Sequence, residues 1–215
     1  MPNRYSGVKS STSDRDFSRN GPVYPKNKKL ALDYWQAQVS TGDLSYLHDI
    51  PSKLKRRNNE IIIANLGCFR GHSATALALG MKDASINGKI YTVDLYSKMH
   101  SARIGKKGVV GNRAKAEDRF RKHSVESYIE VCQGSTVEFS QKLSNLQFDF
   151  VFIDADHSYE SCREDFDCWN GLVVKEGLIA LHDCHLNSVN QVVEEIQDKW
   201  VLVDHYQSIK TFKRK

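Results

Sequence analysis

Residues 148–160 read FDFVFIDADHSYE. A nearly unbroken apolar run of strand length ends in two aspartates, a histidine and a tyrosine. A strand with one wet face alternates apolar and polar residues. A continuous run instead predicts burial on both faces, as in a parallel sheet covered by helices. Four more runs share this character: IIIANLG at 61–67, KIYTVDL at 89–95, YIEVCQG at 128–134 and GLIALHD at 177–183. WVLVDHY and TFKR predict closing strands. Helical patterns separate them: HSATALALGMK, NRAKAEDRFRKHS, YESCREDFDCWNGLV and NSVNQVVEEIQDKW. In the third, Tyr159, Cys162, Phe166, Trp169 and Val173 recur at spacings of three and four, giving one apolar face. In the fourth, Val189, Val192, Val193 and Ile196 share a side. Strand following helix throughout predicts an α/β fold with a doubly wound, Rossmann-like, mostly parallel sheet.

The alternation begins near residue 61, so residues 61–215 are expected to form the α/β domain. Residues 1–60 are expected to be an arm making substrate, lid or oligomer contacts. Within that arm LALDYWQAQVS, at 30–40, predicts an amphipathic helix and the rest reads as linker. Of the 215 residues, 40% are hydrophobic and 27% charged, an ordinary balance for a globular protein. No apolar run approaches the roughly 20 residues that cross a bilayer, and the N-terminal stretch has no signal-like apolar core. The five cysteines lack zinc-knuckle spacing, which predicts free thiols and a cytoplasmic setting. The net charge of +5 gathers near the ends: residues 1–30 hold seven Lys or Arg against two Asp, and the chain finishes KTFKRK. The aromatics among these basic runs, such as Tyr5, Phe17 and Phe212, do not alternate regularly with the basic residues. The runs read as solvated tails rather than as a nucleic-acid surface.

Ligands of such sheets bind beyond the carboxyl ends of the strands, where strand order reverses. The first strand ends NLGCFRGHS, with Gly67 and Gly71 enclosing a turn into a helix. Glycine there lets a ligand approach the backbone. Asp94 ends the second strand, 27 residues after Gly67. An acid at that place can accept from both ribose hydroxyls of a nucleoside. The three-glycine dinucleotide turn is absent, which favours a nucleoside cofactor without phosphates over NAD. The third strand ends CQGSTVEF, putting Gly134 and Ser135 where an adenine ring would rest. The stretch 96–111 is long for a strand-to-helix connection and suits a lid or substrate loop.

Asp154 and Asp156 are two residues apart and would point the same way if the strand continued through them. Asp183 ends the neighbouring strand. Carboxylates at adjacent strand tips repel unless a proton or a cation lies between them. The alternative is helix capping, by Asp156 for the helix after it and by Asp183 for the next.

The set NLGCFRGHS, VDLYS, FIDADHSYE and DFDCWNGLVVKEGLIALHDC resembles the class I S-adenosylmethionine-dependent methyltransferases. Within them it is most similar to the small-molecule O-methyltransferases of the catechol, caffeoyl-CoA and macrocin type. The resemblance covers 61–184 well, 185–215 loosely and 1–60 not at all. It implies a seven-stranded sheet with an antiparallel last strand. It implies S-adenosylmethionine held by Asn65, Gly67, Cys68, Gly71, Ser73, Asp94, Gly134, Ser135 and Asp154. A divalent metal, Mg²⁺ or Mn²⁺, is implied at Asp154 and Asp183, with His182 or Cys184 as third ligand. His157 stands where relatives carry a catalytic lysine, so it is the expected general base, with Asp156 orienting it or touching substrate. Three departures stand out: Asn65 replaces an acid, His157 a lysine, and His182 or Cys184 an oxygen ligand. The last softens the site toward Mn²⁺, Fe²⁺ or Zn²⁺. The implied acceptor is a small-molecule hydroxyl on a natural product, sugar or phenol, and such relatives are often dimers or larger. The alternatives are a metal-free methyltransferase of the same fold, a nucleotide-linked oxidoreductase, and a nucleic-acid-modifying or nucleic-acid-binding protein.

Overall fold

In the computed structural model, residues 39–56, 59–96 and 112–215 are described. They run α1 (Thr41–Lys53), β1 (Glu60–Leu66), α2 (His72–Asp83), β2 (Asn87–Asp94), α3 (Asn112–His123), β3 (Ile129–Gln133), α4 (Thr136–Lys142), β4 (Phe148–Ile153), α5 (Tyr159–Trp169), β5 (Val173–Leu181), α6 (Asn187–Ile196), β6 (Trp200–Tyr206) and β7 (Ile209–Arg214). The sheet order is β3-β2-β1-β4-β5-β7-β6. Pairs from β3 through β5 are parallel, and β7 is antiparallel to both of its neighbours. The order therefore reverses between β1 and β4, and a crevice opens above their carboxyl ends.

Every residue of β4 is buried, as its unbroken hydrophobicity predicts. Phe150 and Phe152 join the cluster with α1, α2 and α3 on one face, while Val151 and Ile153 join α5 and α6 on the other. Phe148 lies beyond a register shift against β5 and belongs to that second face. Each of these fully buried phenylalanines contributes roughly 1.5–3 kcal/mol through burial. On α6 Val189, Val192, Val193 and Ile196 are all buried, the stripe expected from their spacing.

Several boundaries differ from expectation. β4 ends at Ile153, so Asp154 and Asp156 lie past the strand and alternation no longer decides where they point. α5 stops at Trp169, a 3-10 turn follows, and Val173 opens β5 instead of closing the helix. Residues 41–53, expected as linker, form α1. Ser40 caps it, accepting from the Asp43 N–H at 3.0 Å, and Leu44, Leu47 and Ile50 are buried. The helix expected at 30–40 and the loop at 96–111, with Tyr34, Trp35 and His100, lie outside the described residues apart from Val39, Ser40 and Tyr96. No helix among the described residues is long and apolar enough to cross a membrane.

Candidate active site

A cavity of about 860 Å³ fills the crevice above β1, β2, β3 and β4. Its floor is the turn from β1 into α2. Gly67 has φ +84°, and a Cβ there would lie 2.0 Å from the Asp154 carbonyl oxygen. Gly71, φ +82°, starts α2 with no side chain capping it. His72 and Ser73 of that first helical turn line the cavity. An uncapped helix start offers backbone N–H groups that suit an anionic group such as a carboxylate. Asp94 sits on the opposite wall. Its Oδ2 accepts from the Cys68 and Phe69 N–H groups at 2.9 and 2.7 Å, and its Oδ1 from the Tyr96 N–H at 2.6 Å. The acid thus shapes the glycine turn while facing the cavity. Gly134 and Ser135 close the far end, with Ser135 also capping α4.

The other wall carries acids and histidines. One donor atom each from Asp154, His157, His182 and Asp183 lies within 4.8 Å of the other three. His157 Nε2 is 3.1 Å from Asp183 Oδ2 and 3.5 Å from Asp154 Oδ1. His182 Nδ1 is 3.0 Å from Asp154 Oδ1 and 3.4 Å from Asp183 Oδ2. Those contacts lack hydrogen-bond alignment, so Nδ1 is a buried polar atom aimed among the carboxylates. Ligands about 2.1 Å from one ion stand about 3.0–3.4 Å apart in octahedral or tetrahedral arrangement. The donor set and its spacing therefore fit a divalent cation. Burial alone would push the His182 imidazole down, but the carboxylates of Asp154, Asp183 and Asp43 around it outweigh that and raise its pKa to about 12. A cation among these carboxylates competes with that proton. Burial pushes the Asp183 carboxyl up, and His182 more than offsets this, holding it below its ordinary value. Asp183 adopts φ +53°, a costly conformation for a non-glycine residue, of a kind that gathers at functional sites.

A sequence profile described as a methyltransferase domain matches residues 64–184, more than half of the chain. The chain belongs to this methyltransferase family. It is an enzyme of the class I S-adenosylmethionine-dependent type. No curated protein sequence matches it. Solved structures share its fold at low identity. An O-methyltransferase from Bacillus cereus, in complex with SAH, aligns at TM-score 0.64 and 17% identity, over 89% of this chain and 93% of that one. The O-methyltransferase TomG from Streptomyces achromogenes, in complex with SAM, gives 0.64 and 14%, over 90% and 92%. The SAH-bound Podospora anserina methyltransferase PaMTH1 gives 0.62 and 15%, over 86% and 88%.

Of the residues named from the sequence, Gly67, Cys68, Ser73, Asp94, Gly134, Ser135, Asp154, Asp156, His157 and Asp183 line the methyltransferase cavity. Asn65 lies beneath it, wholly buried, its Nδ2 donating to Thr92 Oγ1 at 3.0 Å and to the Gly67 carbonyl at 3.4 Å. His182 is also buried, the member of the cluster that does not line the cavity. Cys184 turns away: its thiol donates to the Leu181 carbonyl at 3.2 Å, and burial pushes its pKa up to about 11. Of the two candidate third ligands, the structure brings only His182 into the cluster. Capping does not account for the acids. Ser158 caps α5, and α6 starts at Leu186 without a side-chain cap. Asp156 Oδ1 accepts from the Ser158 N–H at 2.8 Å, bracing the turn that carries His157. Sequence reasoning missed Asp43, which reaches His182 from α1, and Asp165 in the cavity wall.

Asp165, on α5, is 4% exposed. Burial pushes its carboxyl up to about 6, against the Thr136 hydroxyl, which donates to Oδ1. An acid with a raised native pKa holds its proton more tightly when folded. The protein gains from this at low pH and loses the gain as pH rises from about 4 through about 6. Above that, a buried charge costs on the order of 2–3 kcal/mol. Asp165→Asn keeps an acceptor for Thr136 and removes the charge. Its melting temperature should exceed the parent's by about 4–10 °C at pH 7.5 and match it near pH 4. Calorimetric scans at the two pH values check this; an equal gap at both would reject the burial argument.

Proposed function

We propose that this methyltransferase transfers the methyl group of S-adenosylmethionine to a hydroxyl of a small molecule, with a divalent cation beside the acceptor. The observation carrying this reading is that the Asp154–His157–His182–Asp183 cluster borders the same cavity as the Gly67–Asp94 crevice. The glycine turn and the α2 start, with Ser73, would hold the amino-acid end of the cofactor, Asp94 its ribose, and Gly134 with Ser135 its adenine. The SAM- and SAH-bound structures of like fold support that placement.

The cofactor supplies a methyl already activated on sulfonium, and a divalent ion supplies Lewis acidity that lowers the pKa of a bound hydroxyl. Asp154, Asp183 and His182 would hold the ion. What remains for the protein is positioning and proton removal. His157 is half exposed where an acceptor would enter, and with Nε2 donating to Asp154 its Nδ1 would take the hydroxyl proton. The hydrogen bond to Asp154 raises its pKa, outweighing burial, which makes it a stronger proton acceptor than an ordinary imidazole. Val39 and Leu95 give the cavity apolar wall for a ring or chain. Five unpaired cysteines suit a reducing cytoplasm.

Calorimetry with S-adenosylhomocysteine and, separately, NAD⁺ tests the reading. One-site uptake of the first alone is expected. A chain that takes up NAD⁺ and not the homocysteine derivative is no methyltransferase in function.

A further inference from the structure

Asp43 lies outside the residues the family profile matches, yet it is 2% exposed and seated against His182. Its Oδ2 accepts from Ser40 Oγ at 2.7 Å, Ser208 Oγ at 2.9 Å and His182 Nε2 at 3.4 Å. Two hydroxyls, from the N-cap of α1 and the turn between β6 and β7, thus pin the carboxylate. The Phe152 ring packs edge-on against the imidazole at 5.9 Å. With Nε2 committed to Asp43, Nδ1 is left facing Asp154 and Asp183 without an aligned hydrogen bond. A ring nitrogen that donates to a carboxylate fixes tautomer and orientation, and raises the basicity of the other nitrogen toward a metal. A helix cap needs only the local Ser40 contact. The contacts to His182 and Ser208, 139 and 165 residues away, exceed that need.

We propose that Asp43 is a positioning residue that turns His182 into a nitrogen ligand, so that the site prefers a borderline first-row ion such as Zn²⁺ or Co²⁺ over Mg²⁺. Mg²⁺ favours oxygen ligands and near-ideal octahedral geometry. Imidazole suits the later first-row ions. The inference rests on the divalent-ion reading above and sharpens it.

The experiment titrates the metal-free, full-length chain with Zn²⁺, Co²⁺ and Mg²⁺ by calorimetry, and records the visible spectrum of the Co²⁺ form. One Zn²⁺ or Co²⁺ per chain is expected, bound about 100-fold or more tighter than Mg²⁺. Asp43→Asn should weaken Zn²⁺ about 10–100-fold and alter the Co²⁺ spectrum, with S-adenosylhomocysteine affinity kept within about threefold. His182→Asp should narrow the Zn²⁺-to-Mg²⁺ ratio about tenfold or more. An Asp43→Asn protein that melts lower yet binds Zn²⁺ like the parent leaves Asp43 a packing role only and overturns the proposal. Mg²⁺ binding as tightly as Zn²⁺ overturns it too, while leaving the divalent-ion reading intact. Uptake of no divalent ion removes both.

Discussion

Asp154→Ala is expected to lower methyl transfer about 10³-fold or more at every pH, while S-adenosylhomocysteine still binds. The side chain of Asp154 touches both histidines of the cluster through Oδ1, at 3.0 and 3.5 Å. Its loss removes a carboxylate that no other group replaces. Lewis-acid activation of a hydroxyl is worth several kcal/mol, and each 1.4 kcal/mol is tenfold in rate. The glycine turn, Asp94 and Ser135 stay in place, so cofactor affinity should change by less than about fivefold. Removing divalent ions from the parent with EDTA should have the same effect, and adding ions back should restore the parent only. His157→Ala should behave differently. A lost general base costs about 10²–10⁴-fold. Most of that loss should fall at low pH and shrink as rising pH ionises the acceptor. Turnover in EDTA equal to turnover with ions would discard the metal part of the mechanism. An unchanged pH–rate profile in His157→Ala would remove His157 as base.

Gly67→Ala should cost about 3–5 kcal/mol of stability and abolish detectable cofactor binding. At φ +84° an L-residue pays about 1–2 kcal/mol on conformational grounds alone. The added methyl would then sit 2.0 Å from the Asp154 carbonyl oxygen and 2.8 Å from the Ala155 Cα. Both are backbone atoms, so no rotamer change relieves the clash. The tips of β1 and β4 must move apart, and the Asp154 N–H bond to the Leu66 carbonyl, 2.9 Å, lies in the way. A melting temperature lower by about 6–20 °C is the expected readout, with calorimetry for the cofactor. A variant that melts with the parent would show that the turn is softer than this geometry requires.

The sheet was legible because strands buried on both faces leave unbroken apolar runs, as at β1 and β4. The glycine turn and Asp94 were legible because their chemistry lies within one strand-turn-helix unit. α1 was not, since Gly42 and Pro51 punctuate it as a linker would be punctuated. Asp43 sits in the first turn of that helix, where its carboxylate meets the Ser40 cap. Its second role depends on residues brought together only by the fold. The choice between His182 and Cys184 stayed open for a related reason. In a continuing strand, positions two apart share a face. The backbone turns at Asp183, φ +53°, and sends His182 to the cluster and Cys184 to the core. Asp165 was hidden on an amphipathic helix, where an acid normally faces water.

Ser208 follows Asp43 by 165 residues in the chain, and the two meet over His182. Synthesis runs from the amino end, so all the strands that hold the glycine turn can pair before the β6–β7 hairpin emerges. The clasp on the imidazole closes only when that hairpin docks. A nascent or clipped chain lacking the β6–β7 hairpin would therefore leave His182 unsteadied on one side.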